Sequence, residues 1–180
     1  MRRAFLILSL LVATFAVQAN AQSDWRVTLA ERLPLLGHRN WILVVDSAYP
    51  LQVSPGVETI ETHDGMLEVV QTVLRQIDNS VHVRPDIFMD AELPYVPEQD
   101  VPGVSTYRAN IADALRDYHV ETQLHDKLIA QIGDAGQSFH VLVLKTRLTI
   151  PYSSVFIRLN CKYWPTDAEE RLRAKMGAQH

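Results

Sequence analysis

Residues 37–50 read Gly37-His38-Arg39-Asn40-Trp41-Ile42-Leu43-Val44-Val45-Asp46-Ser47-Ala48-Tyr49-Pro50. The central five, Trp41 to Val45, are an unbroken apolar run. A strand with one wet face alternates apolar and polar positions. This one does not, so it reads as a strand buried on both faces, as in a parallel sheet covered by helices. Asp46 and Pro50 close the run with turn chemistry. Residues 139–144 and 155–159 have the same character, and residues 81–89 return to strand character.

Helix signals separate these runs. A first helix is expected over 24–36, capped by Ser23 or Asp24, disturbed in its last turn by Pro34 and stopped with the help of Gly37. Asp64 is placed to cap a second helix, in which Met66, Val69, Val70, Val73, Leu74 and Ile77 recur at helical spacing as one apolar face. A Pro-rich connection over 93–103 leads to helices near 105–118 and 125–135, and a polar, amphipathic helix over 165–177 closes the chain. Helices alternating with apolar strands predict an α/β layered domain with a largely parallel central sheet and flanking helices. Ligands of such sheets gather at the carboxyl ends of the strands. Asp46, just past the first strand, and Tyr152, between the last two, are candidates on that ground alone.

The first 21 residues have the layout of a Sec signal peptide. Arg2 and Arg3 precede an apolar stretch over 4–17, and Ala19-Asn20-Ala21 is a small-x-small cleavage site. The apolar stretch is shorter than the roughly 20 residues that a spanning anchor needs. Arg2-Arg3 also hints at twin-arginine export, but the short positive segment and greasy core favour Sec. No Cys follows the stretch, which excludes a lipoprotein. The expectation is a periplasmic or secreted protein in which residues 22–180 form a single domain, not attached to a membrane after cleavage. Removing 1–21 takes away two arginines and no acids, moving the formal charge from −4 to −6. That balance argues against nucleic acid as a partner. Cys161 is the only cysteine, so no internal disulfide forms, and its apolar neighbours suggest a buried structural thiol. There is no Gly-rich phosphate loop, no His-Glu-x-x-His helix and no Gly-x-Ser-x-Gly elbow. His63, His82, His119 and His140 lack metal-ligand spacing, so neither a metal nor a cofactor is expected.

Four short motifs occur in order: Gly37-His38, then Val45-Asp46-Ser47-Ala48-Tyr49-Pro50, then Asp64-Gly65-Met66-Leu67, then Pro151-Tyr152-Ser153-Ser154 before an apolar strand. Together they resemble the D-ribose pyranase / L-fucose mutarotase (RbsD/FucU) family across most of residues 26–160, least clearly over 93–138. The resemblance implies an α/β fold and a cofactor-free isomerase that exchanges ring forms or anomers of a free monosaccharide. It implies His38 as the catalytic acid/base, Asp46 as a substrate ligand, and Tyr152, Ser153 and Ser154 as a wall of the pocket. His125 stands for the family's second, substrate-binding histidine at a helix start. It also implies a ring-shaped homo-oligomer, such as a decamer, with sites shared between subunits. Two departures stand out: the family's Asn two residues after the Tyr is Ser154, and its Glu four residues before the Tyr is Leu148.

The residue types suit the chemistry. Opening a hemiacetal requires one group to take the anomeric hydroxyl proton while another protonates the ring oxygen. A histidine with an ordinary pKa of about 6.5 has both forms available near neutrality. An ionised Asp anchors hydroxyls by charge-assisted hydrogen bonds, and a Tyr hydroxyl both donates and accepts. His38 and Asp46 are expected to face one pocket, with His125 near its opening. Each residue also has a plain structural reading: His38 as a helix C-terminal cap, Asp46 as a turn cap, and Tyr152 as packing. A non-catalytic sugar-binding module is the alternative in function, motivated by the two departures. Mass spectrometry of the exported protein should find a mature chain beginning at Gln22.

Overall fold

The computed structural model describes residues 24–177. The expected signal segment, 1–21, lies outside the described residues. Helix α1 spans Trp25–Arg32, with the Asp24 side chain accepting from the Arg26 backbone N–H as its N-cap. Pro34 then tightens the chain into a short 3₁₀ turn, Leu33–Leu35, so the helix ends a turn earlier than the apolar pattern suggests. Strand β1, Trp41–Val45, is buried at all five positions. Strand β2 (Val57–Glu61), helix α2 (Met66–Asn79) and strand β3 (Val83–Asp90) follow. Helix α3 (Val104–Ala114), strand β4 (Val120–Gln123), helix α4 (His125–Ser138), strand β5 (Val141–Lys145), strand β6 (Val155–Cys161) and helix α5 (Thr166–Gly177) complete the described chain.

The described strands form one six-stranded sheet in the order β2-β5-β1-β6-β3-β4. β1 pairs parallel with β5, β5 with β2, and β3 with β4, whereas β6 is antiparallel to both β1 and β3. The sheet is thus largely parallel, with one reversed strand in the middle. Alternate residues of β1 feed two cores. Ile42 and Val44 join α1, α2 and α3 in the larger one, while Trp41, Leu43 and Val45 pack with Leu128 and Ile132 of α4 in the smaller. Continuous apolarity in β1 follows from this double burial.

All six apolar residues predicted for α2 are buried. Asp64 does not cap that helix, which begins after Gly65 with no side-chain cap. Instead Asp64 Oδ2 accepts from Trp25 Nε1 at 2.6 Å and lies 3.0 Å from the Arg26 guanidinium. The tryptophan bond holds its carboxyl below the usual range, aided by Arg26. A local cap has been exchanged for a contact across 39 residues, tying α1 to the start of α2. Strands β2 and β4 carry no buried residue that would mark them. They lie at the two edges of the sheet, where half-buried, polar residues are normal. Cys161 is half-buried at the end of β6, not the core thiol its neighbours suggest.

Gly56 joins β2 to α4 and β5: its N–H donates to the Gly136 carbonyl and its carbonyl accepts from the Val141 N–H, both at 2.9 Å. A Cβ there would lie 2.7 Å from the Gly136 oxygen and closer still to that of Phe139. These are backbone atoms that cannot rotate away. Gly56→Ala should therefore destabilise the fold by about 1–3 kcal/mol, the usual cost of overpacking, as urea denaturation would show.

Candidate functional site

The reversal of β6 decides where the site forms. Asp46 leaves the carboxyl end of β1, and because β6 runs the other way, the loop that precedes it arrives at the same end. Ser154 Oγ donates to Asp46 Oδ2 at 3.3 Å. The other oxygen, Oδ1, accepts from the Ala48 N–H at 2.8 Å and holds the turn. Tyr152, at the tip of the loop, has φ 57°, a left-handed conformation that is uncommon for a side chain of its size. Its ring meets that of His125 edge-on, with centroids 5.4 Å apart at 84°. His125 is the first residue of α4, and its backbone N–H donates to the Glu92 carboxylate at 3.0 and 3.1 Å. Asp46, His125, Tyr152 and Ser154 therefore cluster at one end of the sheet. A cleft of about 350 Å³ opens beside Tyr152, lined by Glu92, Tyr95 and Pro97 among others.

Ser153 belongs to the loop but not to the exposed surface of this cluster. It is fully buried, its hydroxyl donates to the Ile150 carbonyl at 2.6 Å, and its own carbonyl accepts from Tyr107 at 2.5 Å. Its expected part as a direct sugar contact is corrected to that of holding the loop, since its hydroxyl proton is already committed inside the fold.

His38 requires a second correction. It precedes β1, whereas Asp46 follows it, and the intervening strand alone spans about 13 Å at 3.3 Å per residue. β6 gives the same measure in reverse, since Ser154, just before its start, touches Asp46 while Leu159 near its end accepts from the Arg39 N–H at 2.9 Å. His38 is exposed at this far end, beside a cavity of about 480 Å³ shared with Arg84, Asn160, Cys161 and Trp164. Within one chain, then, His38 and Asp46 do not face one pocket. Their spacing of eight residues joins them in sequence, but a straight strand between them holds them apart.

Two acids escaped the sequence reading. Asp90 ends β3 and is buried, with Oδ1 3.1 Å from His125 Nδ1. Burial pushes its carboxyl up to about 6, against the lowering effect of His125 and with help from the Glu92 and Asp46 charges. Glu92 follows two residues later and grips the start of α4. A signal was available: Asp90 stands at the carboxyl end of an apolar strand, much as Asp46 does. Tyr49 and Tyr107 complete the surroundings, and burial raises both hydroxyls well above their ordinary values.

The backbone architecture recurs in known structures. The chain is similar to RbsD of Bacillus subtilis, solved in complex with D-ribose, with a TM-score of 0.54 and 14% identity over 74% of this chain and 91% of that one. It is similar also to FucU of Bifidobacterium longum, with a TM-score of 0.50 and 16% identity over 74% of this chain and 94% of that one. The fold is the RbsD/FucU fold. Neither a protein-family model nor a curated protein matches the chain. Identity this low leaves the RbsD/FucU likeness at the level of backbone architecture. The side chains at the carboxyl end of the sheet have to carry any argument about chemistry.

The Asp90 shift has a stability consequence. Its folded pKa lies above the value of an unfolded Asp, so ionised Asp90 disfavours the fold; that penalty is fully present above about pH 6 and fades as the pH falls towards about 4. Asp90→Asn removes the titrating group. Relative to the parent, its melting temperature should therefore be higher at pH 7.5 than at pH 4.5, as scanning calorimetry at the two pH values would show.

Proposed function

We propose that the protein is a cofactor-free monosaccharide mutarotase or pyranase, exchanging ring forms or anomers of a free aldose by general acid/base catalysis. One observation carries this reading: Asp46, His125, Tyr152 and Ser154, drawn from three separate segments, converge at the carboxyl end of a sheet of the RbsD/FucU fold. The set has the parts that hemiacetal chemistry needs. Asp46 accepts hydroxyls, a Tyr hydroxyl both donates and accepts, and a histidine moves a proton. None of these steps requires a redox centre or a Lewis acid.

The place of His38 at the other end of β1 fits this reading if sites are completed between subunits. In that arrangement the His38 cavity of one chain closes over the Asp46 cluster of a neighbour, within a ring-shaped homo-oligomer. His38 then supplies the second proton-transfer group, the one that serves the ring oxygen. An exported enzyme of this kind would meet its sugar in the periplasm or outside the cell.

A second reading, a non-catalytic sugar-binding module, is favoured by two features. His38 stands outside the cluster within one chain, and Ser154 spends its hydroxyl on Asp46 where an amide would offer both a donor and an acceptor. Saturation-transfer NMR across a panel of free aldoses separates the readings. The enzyme should accelerate exchange of at least one sugar above its spontaneous rate, whereas the module should bind a sugar and accelerate none. His38→Ala and His125→Ala should each slow exchange by about 10²–10⁴-fold, while Asp46→Ala should chiefly weaken binding. The protein should also elute from a sizing column well above the mass of one chain.

A further inference from the structure

We infer that Asp90 is a positioning residue for His125: by accepting the Nδ1 proton it sets the imidazole tautomer and leaves Nε2 as the atom that exchanges protons with the ligand. The inference rests on the sugar-exchange reading of this site and assigns a part to a residue that the family resemblance did not mark.

The geometry holds the histidine from three sides. Glu92 binds the His125 backbone N–H through both carboxylate oxygens. The Tyr152 ring, set nearly perpendicular to the imidazole at 5.4 Å, limits its rotation. Asp90 Oδ1 lies 3.1 Å from Nδ1 and pairs with that ring nitrogen. The His125 side chain keeps a third of its surface in solvent while that of Asp90 keeps none, so the pair has a buried end and an accessible one. Asp90 Oδ2 is also buried and has no hydrogen-bond partner among the described residues. A buried carboxylate usually binds at both oxygens, and a fold built for stability alone would have supplied a second donor. Here the carboxylate charge is left for the imidazole.

The consequence for proton transfer follows from the two ring nitrogens being distinct. With the proton on Nδ1 held by Asp90, the Nε2 lone pair is free to accept. When a sugar's anomeric hydroxyl gives its proton to Nε2, the O–H electron pair becomes the second bond of the carbonyl. The bond from that carbon to the ring oxygen breaks with its pair on the ring oxygen, which takes the proton that His38 of a neighbouring chain holds in the proposed shared site. The imidazolium then faces an ionised carboxylate, and ring closure returns both protons by the reverse path. The charges that bear on Asp90 come from several elements: His125 on α4, Glu92 after β3, and Asp46 after β1, with the Tyr49 and Tyr107 hydroxyls reached by its field. His125 is the only one of these that opposes protonation of Asp90. Burial holds the carboxyl at about 6, so it is ionised at neutral pH and lost as a proton acceptor just below.

The test is ¹⁵N NMR of the histidine rings in the full chain, joined to exchange rates. In the parent at pH 8, His125 should be the Nδ1–H tautomer, and that preference should disappear in Asp90→Asn. The parent's exchange rate for an accepted aldose should fall as the pH falls through about 6. In Asp90→Asn the rate should drop by about 10²-fold, the lower end of what a positioned acid/base contributes. The same variant should lose the acid limb near pH 6 while sugar affinity changes little. An Nε2–H tautomer in the parent at pH 8 overturns the inference, as does an Asp90→Asn protein with unchanged tautomer, rate and pH profile. If that variant does not fold, the tautomer of the parent, followed from pH 8 to pH 5, decides the matter alone. If the parent shows the Nδ1–H tautomer and the variant loses it, yet no aldose is exchanged, the pairing stands and the enzymatic reading of the site falls.

Discussion

Strand β6 runs against both of its neighbours, and its two hydrogen-bonded ladders are the constraint from which the rest of the architecture follows. Register with β1 sets Val155 opposite Val44, and register with β3 sets the same residue opposite Met89. The loop before β6 is thereby delivered between the carboxyl ends of β1 and β3. Had β6 been parallel, its preceding loop would lie at the opposite end, with His38. Tyr152 would then never meet His125, nor Ser154 meet Asp46. The strained backbone of Tyr152 is held by a loop that Ser153 and Tyr107 lock from inside. Strain of this kind persists only where surrounding contacts over-determine it.

The same ladders concentrate negative charge. Asp46, Asp90 and Glu92 all arrive at one end of the sheet, with His125 as the group that answers them. Burial displaces Asp90 upward, with the Glu92 and Asp46 charges adding to it, while Asp46 is only half-buried. At the other end of the sheet the chemistry is different. His38, Arg84, Asn160 and Cys161 surround an open cavity, and α5, with no buried residue of its own, extends beside it.

Much of the framework was legible because it is local. The unbroken apolarity of Trp41–Val45 reported double burial, and the spacing from Met66 to Ile77 reported the buried face of α2. Pro34 signalled a broken helix end, and Asp24 its start. Edge strands β2 and β4 were illegible for the converse reason: a strand that borders solvent shows neither a buried run nor a strong alternation. Asp64 misled because a cap and a long-range acceptor look alike in sequence. Only the packing of α1 shows that Trp25 reaches it first.

The site divides along the same line. That Asp46 and His125 begin or end an element follows from periodicity and turn chemistry, which depend on a few neighbouring residues. Which of them meet depends on the direction of β6, and direction is a property of pairing across 108 residues, as between Asp46 and Ser154. A histidine eight residues from an aspartate looks close on paper, but an extended strand converts that spacing into distance. The apolar runs, helix faces and turn residues were decided by the order of amino acids. The partnership of Asp90 with His125, and the separation of His38 from Asp46, were decided by how the strands hydrogen-bond, because backbone pairing sets the ends at which side chains emerge.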